Sequence, residues 1–275
     1  MNWWCAATGQ SWTWAWRAYP GVWLFVLALA VVYYRLRRLE GARPGGRGTA
    51  WFGTGLLLLW AALDWPLGAL GAGYLLSAHT VSYILLSLVA PPCLILGFDT
   101  ADIRRALARP RAAALLRFAA RPGPALAGFS AILFITHIPS VVDALMASQL
   151  GALLVDLAWI GGGLWLWWPV MAPDPDVASL RRPLKMAYLF AATLPAIIPS
   201  AFLTFAEYPL YATYELAPRV ARLLTAQEDQ KIAGLLMKLV GDLPVWFAFG
   251  VIFFRWSREA EAAAPPPVHP SAVAR

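Results

Sequence analysis

The chain has 275 residues, 60% of them hydrophobic and 13% charged, with a mean hydropathy of +0.60 and a formal net charge of +7. Soluble domains carry about 25% charged residues, so these proportions exclude a soluble globular domain and predict an all-α polytopic membrane bundle. The positive charge is not a nucleic-acid footprint, because the arginines sit in short connections between apolar segments, where they set topology.

The first 17 residues form a Trp-rich tail, "MNWWCAATGQSWTWAWR", with no charged start and no compact apolar core. A cleaved signal peptide is therefore not expected, and the first apolar segment serves as an uncleaved one. A helical span needs about 20 mostly apolar residues. Seven segments qualify, approximately 18–36, 50–66, 70–97, 124–146, 150–171, 184–206 and 231–255, within a membrane domain over 18–256. Asp64 and Pro66 stop the second segment, and Pro169, Pro173 and Pro175 close the fifth. Residues 100–123 mix arginine with Leu, Ile and Phe and predict short amphipathic helices on the membrane surface. Residues 207–218 are aromatic-rich and read as an interfacial loop, and 257–275 as a disordered cytoplasmic tail.

Basic residues alternate between connections. Arg35, Arg37, Arg38, Arg43 and Arg47 follow the first segment. Arg104, Arg105, Arg109, Arg111, Arg117 and Arg121 follow the third. Arg181, Arg182 and Lys185 follow the fifth, and Arg255 and Arg258 close the last. The connections after the second and fourth segments carry none. The loop after the sixth offsets Arg219, Arg222 and Lys231 with Glu207, Glu215, Glu228 and Asp229. The positive-inside rule then predicts the N-terminus outside and the C-terminus inside.

With that orientation the scattered polar residues fall at one depth, the outer one. His79 lies within the first two or three turns of the third segment, His137 ends the fourth, and Asp156 lies about six residues into the fifth, roughly 9 Å deep at 1.5 Å per residue. Glu228, Asp229 and Gln230 open the seventh, and Met237 lies two turns below Gln230. Imidazole, carboxylate and thioether groups are competent metal ligands, so His79, His137 and Asp229 are the candidate metal set, backed by Tyr83, Gln230 and Met237. The competing reading is that each polar group satisfies a nearby backbone group. Lys238 and Asp242 stand four residues apart on one helix face, and a charge at that depth needs a partner. Lys238 has Asp156 or Asp242 to choose from. Cys5 and Cys93 have no metal or redox spacing and read as unpaired thiols. The motifs of phosphate-cradling and elbow-nucleophile enzymes are missing, and no catalytic residue or organic cofactor is predicted.

The stretches "SAHTVSYILLSLVAPPCLILG", "HIPSVVDALMAS", "LWWPVMAPDPD", "LTFAEYPLYATY" and "EDQKIAGLLMK" together resemble the caa(3)-type cytochrome c oxidase assembly factors, the CtaG family, over about residues 50–256. The resemblance implies a seven-span protein of the bacterial inner membrane that helps mature the haem–copper oxidase, through copper supply to its copper B centre. The implied cofactor is a copper ion. The implied partners are the oxidase subunits, subunit I among them, and a periplasmic copper chaperone, besides the lipid bilayer. The family pattern His-Met-x-x-His in the third span survives here only as His79, with Thr80 and Tyr83 in the other positions. Asp156 replaces a family His, Lys238 a common aromatic residue and Asp242 a Gly, while His137 and Asp229–Gln230 are kept. That trade makes a poor Cu(I) cage, and it suggests an Asp156–Lys238 ion pair in place of a metal bridge. The alternative function is an accessory subunit of a respiratory oxidase without its own metal. A transporter or an intramembrane enzyme is disfavoured, since neither inverted repeats nor a nucleophile beside a base is evident.

Overall fold

The computed structural model describes residues 2–39, 46–174, 177, 180–220 and 224–263. Among them every regular element is helical. α1 spans Pro20–Leu39. α2 (Arg47–Leu63) and α3 (Leu67–Gly73) are bent by 45° across Asp64–Pro66. α4 (Leu76–Ile84) continues through a π-helical turn, Leu85–Val89, into α5 (Ala90–Ile95). α6 (Thr100–Leu107) and α7 (Pro110–Ala119) follow, and α7 meets α8 (Pro122–Ile135) at 76°. The short α9 (Pro139–Met146) leads to α10 (Gln149–Met171). α11 (Arg182–Thr193) and α12 (Ile197–Phe205) come next, then a turn of helix, α13 (Ala212–Glu215). α14 (Ala226–Leu235), a second π turn at Leu236–Val240 and α15 (Leu243–Ala263) complete the chain.

Five of these runs are long and apolar enough to cross a membrane, or up to seven if each bent pair is one span. The surface agrees with a membrane protein. Trp159, Trp167, Leu59, Leu86 and Leu133 are fully buried, while Leu24, Leu27, Phe202, Phe205 and Phe247 face outward. An apolar exterior of that extent is stable only against lipid.

Several boundaries differ from the sequence expectation; the sixth segment is two helices, α11 and α12, and the seventh begins at Ala226. The third segment begins at Leu76 rather than 70, because residues 70–73 belong to α3 and the chain leaves the helix at Tyr74 and Leu75. The fourth is two helices, because Pro139 holds Ile138 in an extended conformation and the helix ends before it. The last helix runs on to Ala263. Residues 264–275, with His269, lie outside the described residues, as do Arg43 and Arg222.

Proline explains both π turns. Pro91 and Pro92 lack the N–H that Ser87 and Leu88 would receive in an α-helix, and Pro244 does the same to Val240. The backbone adopts longer bonds instead, as Ala90 N–H to Leu85 O and Gly241 N–H to Leu236 O.

Ion pairs gather the helix ends at one face. Arg37 bonds both Asp99 and Asp102 at 2.8 Å, Arg104 bonds Asp174 at 3.0 Å, and Arg182 bonds Glu259 at 2.5 Å. The end of α1, the start of α6, the connection after α10, the start of α11 and the end of α15 therefore share this face. The Arg37 hydrogen bond holds the Asp99 carboxyl below the usual carboxylate range.

Candidate functional site

The polar residues of interest collect at the opposite end. His79 is buried in the second turn of α4. Gly71 of α3 lies so close that a β-carbon there would meet His79 N at 2.9 Å and its Cα at 3.0 Å. The His79 ring meets Trp159 of α10 edge-on at 4.7 Å and Tyr214 at 5.7 Å. One turn along, the Tyr83 ring lies 5.4 Å from Trp159 and 5.5 Å from His137. The two histidines are thus linked through a chain of rings, His79 to Trp159 to Tyr83 to His137. Thr136 orients Trp159 by accepting its indole N–H at 3.0 Å.

His137 Nδ1 lies 2.7 Å from the Leu133 carbonyl. A carbonyl only accepts, so Nδ1 carries the proton and Nε2 keeps the free lone pair. The His137 carbonyl in turn accepts the Tyr211 hydroxyl at 3.0 Å.

Asp229 does something different from what its sequence position suggested. Its carboxylate accepts Leu76 N–H at 2.6 Å and also the Ser77 hydroxyl, so it caps α4 from another helix. Neighbouring Gln230 accepts Leu210 N–H at 2.7 Å and donates to Tyr208 O at 3.2 Å, pinning the 206–211 loop. Met237 is buried inside the second π turn. Among the described residues no three His, Cys, Asp or Glu side chains form a group able to hold a metal ion. His79, His137 and Asp229 are accordingly not brought together as one coordination sphere.

The Asp156–Lys238 pair is not formed. Lys238 bonds Asp242 at 2.6 Å and donates to Thr193 O at 3.1 Å. Asp156 accepts the indole N–H of Trp4 at 2.8 Å. Each group is engaged by a different partner.

Trp4 belongs to an N-terminal strap that closes this end. Trp3 N and Trp4 N donate to Gln149 Oε1 at 2.8 and 3.1 Å, Ala7 N to Met146 O at 3.1 Å, and Tyr74 OH to Gln10 O at 2.8 Å. From the other side, Asp143 accepts Thr213 N and its hydroxyl, both at 2.8 Å, and the Tyr214 hydroxyl donates to Gly71 O at 2.7 Å. Burial pushes the Tyr211 and Tyr214 hydroxyls well above the usual phenol range, so both remain donors.

The strap brings Cys5 into the wall of a small cavity that His79 also lines. A cavity of about 20 Å³ is lined by Cys5, Gly71, His79, Ser82, Met146 and Asp156, among others. Such a volume holds about one water or ion. The Cys5 thiol donates to Leu63 O at 3.2 Å and is not in a disulfide. The sequence reading missed Cys5, Met146, Trp4 and Tyr214 as parts of this site. The cluster of tryptophans before the first span was the one signal pointing to a packed N-terminus.

A family model of the cytochrome c oxidase caa3 assembly factors (Caa3_CtaG) matches residues 23–259. No curated protein and no solved structure matches the chain.

Proposed function

The chain belongs to the caa3 cytochrome c oxidase assembly factor family, and from that membership we propose that it matures a haem–copper oxidase by handling copper for the copper B centre. In this reading it resides in the bacterial inner membrane with seven spans, N-terminus out and C-terminus in. The strap and the 206–217 loop then face the periplasm, where a copper chaperone would meet it, and subunit I is the oxidase partner.

The observation that carries copper handling is the donor chemistry of the small cavity. Of His79, His137 and Asp229, the last has its carboxylate engaged by the start of α4. Cys5, His79 and Met146 line one cavity instead; imidazole and thioether, with a thiol that would give up its proton and its bond to Leu63 O on binding, are the soft donors that Cu(I) prefers. Copper here is cargo, bound and passed on. Trp4 holds Asp156 at the cavity wall, and the strap both supplies the thiol and covers the ion from solvent. Release would require only that the strap lift, since Cys5 lies on it.

Deleting the chain should give an oxidase that forms without its copper B signal and recovers it with added copper. Purified protein loaded with copper should lose bound metal in Cys5→Ser and His79→Ala variants and keep it in His137→Ala. Co-purification with the oxidase in fixed stoichiometry, with no bound metal, would support an accessory subunit instead. Unchanged oxidase spectra and activity on deletion would defeat both.

A further inference from the structure

One face of α15 carries a groove with a polar end. Trp246, Phe247 and Phe254 form its walls and Gly250 its floor, with a volume of about 410 Å³. These residues repeat at helical spacing, so they lie on one side of the helix. No heavy atom lies within 4 Å of where a Gly250 β-carbon would be. Phe247 is 76% exposed and Phe254 64% exposed, which leaves the walls open to the surroundings. Arg255 and Arg258 close the groove at its far end.

The dimensions match one leaflet. From Trp246 to Arg255 the helix rises roughly 14 Å at 1.5 Å per residue, close to half of a hydrocarbon core about 30 Å thick. The nearby acidic groups are already engaged. Glu259 is paired with Arg182, and Glu261 accepts the Ser257 hydroxyl at 3.2 Å. With this strip laid along one leaflet, its two guanidinium groups would reach headgroup depth.

We infer that this face binds an anionic phospholipid, with one acyl chain along Trp246, Gly250 and Phe254 and the phosphate on Arg255 and Arg258. Arginine suits this task because its planar fork bonds two phosphate oxygens at once. A partner helix would need an acidic residue at the depth of Arg255, whereas every anionic lipid carries its charge there. The inference does not depend on how the protein handles copper.

The test uses the full chain in micelles containing equal amounts of phosphatidylglycerol and phosphatidylcholine, read by native mass spectrometry. The protein should retain phosphatidylglycerol selectively. A basic residue near a membrane surface contributes about 1 kcal/mol, so Arg255→Gln and Arg258→Gln should each lower the retained phosphatidylglycerol about fivefold. Gly250→Leu should lower retention by filling the groove, while Arg255→Lys retains more lipid than Arg255→Gln. Near-ultraviolet and far-ultraviolet dichroism would confirm that each variant is folded. Equal retention of both lipids, or selectivity unchanged in the folded Gln variants, overturns the proposal. So does displacement of the bound lipid by millimolar inorganic phosphate, which would mean a simple anion site. A polypeptide occupying the groove in the purified protein, insensitive to lipid charge, also overturns it.

Discussion

Asp229 and Leu76 are 153 residues apart in the chain, yet the carboxylate of one accepts the backbone amide of the other at 2.6 Å. The first turn of any helix leaves N–H groups without partners, and inside a membrane no water replaces them. α4 meets this need with a side chain from α14 rather than with its own cap; Leu75, which precedes it, cannot serve. The same bond sets the start of the helix that holds His79.

Replacing Asp229 with Ala should therefore destabilise the protein by about 2 kcal/mol, the upper end for loss of an N-terminal cap. Asp229→Asn keeps one acceptor and should cost less. Thermal unfolding of the purified chain in detergent would order the three as wild type, Asn, Ala. Identical midpoints would show that the cap contributes nothing to stability.

This capping also explains what could be read from sequence. Apolar length was enough to find the helical runs, because hydropathy is local and the membrane leaves few alternatives. The break at Tyr74–Leu75 was not legible, since the group that caps the helix restarting after it is a carboxylate far along the chain. The break at Ile138 was legible in principle from Pro139, but the apolar run on both sides concealed it. His79 and His137 were found as rare polar groups, and the structure links them through Trp159 and Tyr83. Cys5 was passed over because no spacing rule reports a thiol delivered by a strap.

The ion pair at Lys238 can be tested by double-mutant cycles. Lys238 and Asp242 are 2.6 Å apart, while Asp156 is held by Trp4. Lys238→Met and Asp242→Asn should each destabilise, and the double variant should cost less than their sum by about 1 kcal/mol or more. Lys238→Met combined with Asp156→Asn should be additive within about 0.5 kcal/mol. Coupling in the second cycle and none in the first would place the pair the other way.

Asp99 predicts an acid response at the charged face. Its carboxyl is held below the ordinary value of 3.8, first by the Arg37 hydrogen bond. A depressed folded-state value means that stability is present above the unfolded value and lost as pH falls through the folded one. The contribution is therefore whole at neutral pH and starts to fade as pH drops below about 4. It is small, because the Asp99 side chain is 56% exposed and solvent screens it. Comparing unfolding midpoints of wild type and Asp99→Asn from pH 7 down to 3 should show the two curves converge. A constant gap across that range would mean that Asp99 does not titrate against Arg37.

A close backbone contact between two helices yields the strongest prediction. The Ser87 carbonyl lies four and five residues before Pro91 and Pro92, so neither an α nor a π bond can reach it from its own helix. Gly163 of α10 packs over that oxygen, and a β-carbon there would stand 2.2 Å from Ser87 O and 2.7 Å from Pro91 Cγ. A proline-stiffened backbone cannot yield, so α10 would have to move away from the π turn. Gly163→Ala should cost about 3 kcal/mol, the upper end for overpacking. Gly161, two residues earlier on the same helix, has no neighbour within 4 Å of the added carbon. Gly161→Ala should therefore be neutral or stabilising by up to about 1 kcal/mol, the gain in helix propensity. Thermal unfolding of both variants separates steric conflict from propensity: a Gly163→Ala midpoint as high as that of Gly161→Ala would mean that the two helices are not in contact at this turn.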